Sequence, residues 1–431
     1  MSLPKEINYT NRVNLPAGTT CTSAVVAPSN GSSFGESQQI ILQLPSRSYL
    51  VPSSLYIRYK LTITGGDNTT AMRGGAPVYT PFTKLDTMIG SQNSESIASY
   101  NVVNNMLVAL KMNYAQKVGL SQALGLGKSP AIGSGTSATA FTFSNCNGHD
   151  YDVSGESMSV SAPLNCILSN SDTLVPLLYM PQVQIMLTTD TIANIFNGTQ
   201  PTAYAITNFE LCFDLVDFSD AVNQSVLSMV DDRGKLLVKS QSYMSSSQTT
   251  ASVNSGTLEY IYNMRLASIK SLFLSQQGVT ANSLNKIMDS FDITSQNGSF
   301  QFFIASNAYP TREISTALNK NGAMMELSGA LGPAHDLTSS NFSINAVEWL
   351  YTNALATATT TELPAKFFVG VNCERISGSA LLTGVSSQLS PISVRINIGT
   401  PTVNAQVLNL ITNFDAILEI DPINKQCIVL Q

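Results

Sequence analysis

The chain has 431 residues, enough for two or three domains that each bury a core of their own. Hydrophobic residues reach 43%, but Asp, Glu, Lys and Arg reach only 12%, about half the usual ~25%. The formal net charge is −6, with 22 basic residues scattered among 28 acidic ones and no Lys/Arg run, which excludes nucleic-acid binding through a basic segment.

Serine alone is as frequent as the four charged types together. A surface solvated by Ser, Thr, Asn and Gln favours strands and turns over helix interiors, and it leaves little charge repulsion against self-association. No run of 18 apolar residues occurs. The first twenty residues offer only Lys5 and Arg12 as bases and no signal pattern, so the expectation is a soluble chain made in the cytosol. Cys21, Cys146, Cys166, Cys212, Cys373 and Cys427 form no CxxC pair and read as reduced, mostly buried thiols.

In chain order, ESQQIILQL (36–44) reads as a strand. In LYIRYKLTI, Leu55, Ile57, Tyr59, Leu61 and Ile63 share one parity, the period of a strand with one face on a core. The stretches 65–82 and 127–162, rich in Gly, Ser, Thr and Asn, read as long surface loops. Between them, 97–112 carries apolar residues at mixed i+3/i+4 spacings and predicts a helix. VQIMLTT (183–189) and FELCFDL (209–215) are amphipathic strands, the second with Glu210 and Asp214 outward. At Asp217 the period changes. Val222, Val226, Met229 and Val230 fall at helical spacing behind a Ser219 or Asp220 cap, and Gly234 is placed to stop the helix. Strand patterns then return at 257–266, 268–278, 299–306, 366–373 and 392–398. The chain closes with a predicted two-strand unit around the Asp421-Pro422 turn. Two halves of ~200 residues, each a set of amphipathic strands, are joined by a helical linker.

Candidate chemistry is sparse. GLGKSP (125–130) lacks the glycine that a phosphate loop needs five places before Gly-Lys-Ser; Gln122 stands there, and a flexible loop is the reading. GSSFG (31–35) fits a nucleophile elbow with Ser33, but it precedes a strand instead of following one, and only His149 and His335 exist as bases. Asn147, His149, Asp150 and Asp152 gather in NGHDYD without the spacing of a cation loop. Glu210 and Asp214, taken as ~7 Å apart on one strand face, resemble a glycosidase pair, but strand-face carboxylates without a cleft are ordinarily solvation. Trp349, the one tryptophan, is expected in the core. No catalytic, metal-binding or cofactor-binding residue is assigned.

The segment IILQLPSRSYLVPSSLYIRYKLTITGG (40–66) resembles the opening of major capsid proteins of the double jelly-roll lineage that includes PRD1 and adenovirus. Polinton-like viruses and virophages are nearest in pattern. The resemblance continues in order through 81–100, where such proteins have a strand hairpin and then a short helix. It runs on through 180–196, 205–227, 262–278 and 299–316, the last with a Tyr-Pro-x-Arg turn at Tyr309, Pro310 and Arg312.

It implies an all-β chain of two fused jelly rolls, each an eight-stranded β-sandwich or barrel, with a few short helices: 1–216, a helical linker 217–234, and 235–431. The implied function is that of a major capsid protein, not an enzyme. It would assemble as pseudo-hexagonal homotrimers into an icosahedral shell in the virion of a double-stranded DNA virus, after synthesis in the host cytoplasm. The implied trimer contacts are the barrel flanks and the segments 65–82 and 127–162. Implied partners are neighbouring capsomers, penton and minor or cement proteins, and an internal membrane or core proteins beneath the shell, with no sequence-specific nucleic-acid binding and no cofactor. The rival is a β-sandwich receptor-binding or adhesin protein of a virus or phage, which should carry repeat linkers or an aromatic binding face.

Overall fold

A computed structural model describes residues 19–65, 71–72, 76–113, 116, 119–120, 123–125, 157–197, 200–250, 256–278, 298–315, 320–332, 349, 368–374, 384–398 and 406–431. The first half runs β1 (Thr20–Val26), β2 (Ser33–Phe34), β3 (Gln39–Gln43), β4 (Tyr49–Leu50), β5 (Tyr56–Thr64), β6 (Ala71–Met72), β7 (Phe82–Ile89) and β8 (Gln92–Ile97). It continues with α1 (Tyr100–Lys111), β9 (Ser157–Pro163), β10 (Val183–Thr189), α2 (Ile192–Ile195), β11 (Phe196–Asn197) and β12 (Ala203–Asp217). Helix α3 (Asp220–Leu227) leads into the second half: β13 (Leu236–Thr250), β14 (Gly256–Tyr262), β15 (Ile269–Gly278), β16 (Ser299–Ile304), β17 (Asn307–Ser315), α4 (Lys320–Leu331), β18 (Val369–Asn372), β19 (Ile392–Ile398), β20 (Gln406–Asp421) and β21 (Gln426–Leu430).

The two halves repeat one topology. In the first, the strand paths are β1-β12-β5-β9 and β3-β10-β7-β8; in the second, β13-β20-β15-β18 and β14-β19-β16-β17. Counting only the strands on these paths from 1 to 8 along each half, both halves read 1-8-3-6 and 2-7-4-5. Each half also inserts a helix between its fifth and sixth path strands, α1 in one and α4 in the other. All pairings are antiparallel, and two facing four-strand paths of this order make a jelly roll.

Alternation explains which faces meet. In β5, Ile57, Tyr59, Leu61 and Ile63 are buried, and in β10 Val183, Ile185 and Leu187 are buried. From β12, Phe209, Leu211, Phe213 and Leu215 join them, and Tyr59 stacks on Phe209 with ring centroids 5.7 Å apart. Each such aliphatic side chain removed from water contributes about 1.5–3 kcal/mol. The second core repeats the device with Ile392, Val394 and Ile396 of β19 facing Leu410, Leu418 and Ile420 of β20. Trp349 is buried as expected, and its Nε1 donates to the Phe368 carbonyl at 2.9 Å.

Several expectations need correction. Of the expected loop 65–82, residues 66–70 and 73–75 lie outside the described residues, while Met72, Ala76, Val78, Tyr79, Thr80 and Phe82 are buried, because the apolar residues among the Gly and Pro pack against α1 and the sheet. Residues 157–162 belong to β9, paired with β5, and 127–156 lie outside the described residues. The linker helix covers only Asp220–Leu227, buries no residue, and leaves Met229 73% exposed. Gly234 (φ +74°) closes a turn by donating its amide to Asp231 O, seven residues beyond the helix end. Tyr309, Pro310 and Arg312 lie inside β17, not in a turn; the chain reverses at Ala305 (φ 57°), and proline is tolerated because β17 is an edge strand.

Candidate functional site: the seam and the outer sheet faces

The halves meet along β13, the edge strand of the second half. Glu95 at the end of β8 is 4% exposed, and its carboxylate accepts Thr87 Oγ1 at 2.8 Å, the Ile167 amide at 2.9 Å and the Ser242 hydroxyl from across the seam. Ser240 donates to the Ile167 carbonyl, the Ser99 amide donates to Ser245 Oγ at 2.9 Å, and the Asp172 amide donates to the Lys239 carbonyl at 3.1 Å. Hydroxyls are suited here, since one small group can satisfy a buried carbonyl or carboxylate without bringing a charge. Burial pushes the Glu95 carboxyl above its ordinary value, while its three donors pull it down. That serine-rich strand had no apolar alternation, so sequence reasoning passed over both β13 and Glu95.

A second cluster borders the second half. Lys270 Nζ lies 3.8 Å from Asp415 Oδ1 and 4.0 Å from Glu374 Oε1, and Ser268 donates to Asp415 Oδ2 at 2.8 Å. Lys111, at the end of α1, is held below its ordinary pKa by desolvation and then by Lys270.

The outer face of the first long sheet is polar. Arg58 of β5 pairs with Glu210 of β12, and Ser23 of β1 donates to Asp214 Oδ1 at 2.6 Å. Glu210 and Asp214 therefore have separate structural partners. Four residues of strand also set them ~13 Å apart, not ~7 Å, which removes the glycosidase resemblance. A bulge between Thr207 and Glu210, with Asn208 at φ 50°, helps shape an open groove of ≈ 600 Å³ lined by Pro28, Gly31, Ser32, Arg58, Lys60 and Asn208. Glu210 also lines this groove, and its carboxylate is engaged by Arg58.

Ser33 sits in the two-residue β2, opposite Thr207, and is exposed beside buried Phe34. Lys128, His149, His335 and the Asn147–Asp152 group lie outside the described residues. Cys166, Cys212, Cys373 and Cys427 are free and buried, and Cys21 is free and exposed. Burial pushes the thiols of Cys166, Cys373 and Cys427 up to about 12. Among the described residues no three His, Cys, Asp or Glu side chains come together as a metal site, and no helix is long and apolar enough to cross a membrane.

No family model matches the sequence, and no curated protein matches it. Solved structures do. The Faustovirus major capsid protein superposes with a TM-score of 0.62 at 9% identity, over 93% of this chain and 90% of that one. A chain from the Sputnik virophage structure gives 0.56 at 12% identity, over 100% and 92%. The mavirus major capsid protein gives 0.52 at 10% identity, over 100% and 95%. With identities this low the likeness lies in the path of the chain, and it runs through both halves: the protein has the double jelly-roll fold found in these viral capsid proteins.

Proposed function

We propose that this chain is a major capsid protein, acting through its interfaces and not as an enzyme. The observation that carries the reading is the duplicated 1-8-3-6 and 2-7-4-5 topology, in which one half already docks against the other along β13. Two like blocks side by side per chain make three chains a ring of six, a tile suited to an icosahedral facet. The proposed division is a jelly roll at 1–216, a linker at 217–234 and a jelly roll at 235–431. Partners are two further copies in a homotrimer, neighbouring capsomers, penton and minor or cement proteins, and a membrane or core layer beneath, with the virion as location. The adhesin reading has less support: Tyr56 is the one aromatic among the exposed large apolar side chains of the described residues. Light scattering at micromolar concentration, neutral pH and moderate salt tests the proposal; a mass of three chains supports it, and a monodisperse monomer counts against it.

A further inference from the structure

In the second half, the outward side of the long sheet is closed. Both parities of β15 are buried, Leu272 and Leu274 on one and Phe273 on the other. Helix α4 brings Leu327 to 2.9 Å from where a Cβ on Gly370 of β18 would stand. In the first half, α1 packs on β7 instead. The outward row of β5, the strand that matches β15, therefore stays open, with Tyr56 and Arg58 exposed and Lys60 half-buried. The groove of ≈ 600 Å³ lies on this face, and its volume suits a small organic molecule better than a lone ion.

Its boundaries are held in place. Pro28, Gly31 and Ser32 belong to a loop that includes the start of the GSSFG stretch, and that loop is tied to β3 from behind. Asn30 Nδ2 donates to the Gln39 carbonyl at 2.7 Å, and Asn30 Oδ1 accepts the Ile41 amide at 3.0 Å. The Ser29 amide donates to the Ile41 carbonyl at 2.8 Å. Another boundary is the bulge between Thr207 and Glu210. A groove built in advance loses little freedom when it is filled.

The lining selects the ligand. Arg58 gives its Nε to Glu210, and neither its Nη groups nor Lys60 Nζ has a partner among the described residues. Two cations against one carboxylate favour an anion, and a guanidinium fork beside an ammonium fits the oxygens of a sulfate or phosphate ester. Two cations do not make a duplex track, which needs a row of them. Around them Ser32, Ser159 and Asn208 are exposed, and their hydroxyl and amide groups suit the hydroxyls of a sugar. An apolar ligand finds little, because Tyr59, Val160 and Phe209, which also border the groove, are buried in the core.

We propose that the groove binds a saccharide carrying a single sulfate or phosphate ester. Lys60 Nζ and the free Nη groups of Arg58 take the ester oxygens, while Ser32, Ser159, Asn208 and the second Glu210 oxygen take sugar hydroxyls. The test is a titration of the full chain, followed by saturation-transfer NMR, with monosulfated N-acetyllactosamine, its monophosphate ester, the unmodified disaccharide and inorganic sulfate. At least one ester binds with a dissociation constant of ~1 mM or tighter, and the stronger of the two identifies the ester that the groove reads. The unmodified disaccharide and inorganic sulfate bind ~10-fold more weakly or worse. Lys60→Gln, and Ser32→Trp on the exposed rim, each weaken the ester by ~10-fold with the melting temperature unchanged. Lys60→Arg retains binding, and Arg233→Gln, which removes the same charge from the linker, binds as the parent does. Should Lys60→Gln fail to fold, Ser32→Trp decides the matter. The assignment is overturned if neither ester binds, if the unmodified disaccharide or inorganic sulfate binds as tightly, or if both groove variants bind as the parent does. Any of these failures leaves the shell-subunit reading standing, since that reading is decided by the mass of the assembly.

Discussion

Glu95 shows how single residues carry the join between the halves. It is a buried carboxylate with three donors, and among the described residues it makes no ion pair. Because burial raises its folded pKa, the folded chain holds the Glu95 proton more tightly than the unfolded chain does. The charged form therefore penalises folding. That penalty is complete above the raised value and vanishes below the ordinary ~4.3 of an unfolded glutamate. Glu95→Gln, which cannot titrate and places an amide among donors, is expected to cost about 1–3 kcal/mol at neutral pH. The gap in melting temperature between parent and variant should then widen as pH falls toward ~4; a gap that narrows on acidification would refute this account of the seam. Gly384 gives a steric test at the same scale. A Cβ there would lie 2.5 Å from Ser268 Oγ and 2.6 Å from the Ile269 carbonyl oxygen, so Gly384→Ala should destabilise by about 1–3 kcal/mol in denaturant melts. A neutral result would mean the backbone around Ile269 yields freely.

Among the elements, those with a dry face and a wet face were legible. β5, β10 and β19 follow strict alternation, β12 changes parity at its bulge between Thr207 and Glu210, and 416–430 does form two strands about Pro422. Helix α1 begins three residues later than the 97–112 pattern suggests, since Ile97 completes β8. The strands that were missed are those whose buried positions are polar. In β13, Ser240 and Ser242 are 2% and 1% exposed, and their role is to satisfy groups on the other half, which no period reveals. β20 reaches back to Gln406, but Asn409, Asn413 and Asp415 make its second parity polar although Asn409 and Asp415 are buried, which disguises it as loop. The candidate sites were few to begin with, and the interface surfaces could not be read at all. An edge becomes visible only when the strand order is known. The linker offers a contrast in energetics: with no buried residue in α3, Val222→Ser or Met229→Ser should change stability by no more than ~0.5 kcal/mol. Leu211→Ala, at 0% exposure in β12, should cost about 2–5 kcal/mol. Equal losses at the two places would mean that the linker is clamped by contacts beyond those seen.

For the whole molecule, the 22 basic and 28 acidic residues set what a shell built from this chain, as proposed, can hold. Tight duplex binding needs several Lys or Arg aimed at phosphates, and it weakens steeply with salt as counterions are no longer released at a profit in entropy. Mobility shifts with duplex DNA at ~50 and ~200 mM salt should therefore show no submicromolar binding; binding that is tight at the first and lost at the second would reveal a basic face assembled by folding. The central claim is that two like jelly rolls in one chain make a pseudo-hexagonal building block. Electron microscopy of the purified protein tests it most directly. The account predicts six-lobed trimers, or shells and sheets tiled from them, and a field of elongated two-lobed monomers at micromolar concentration would contradict it.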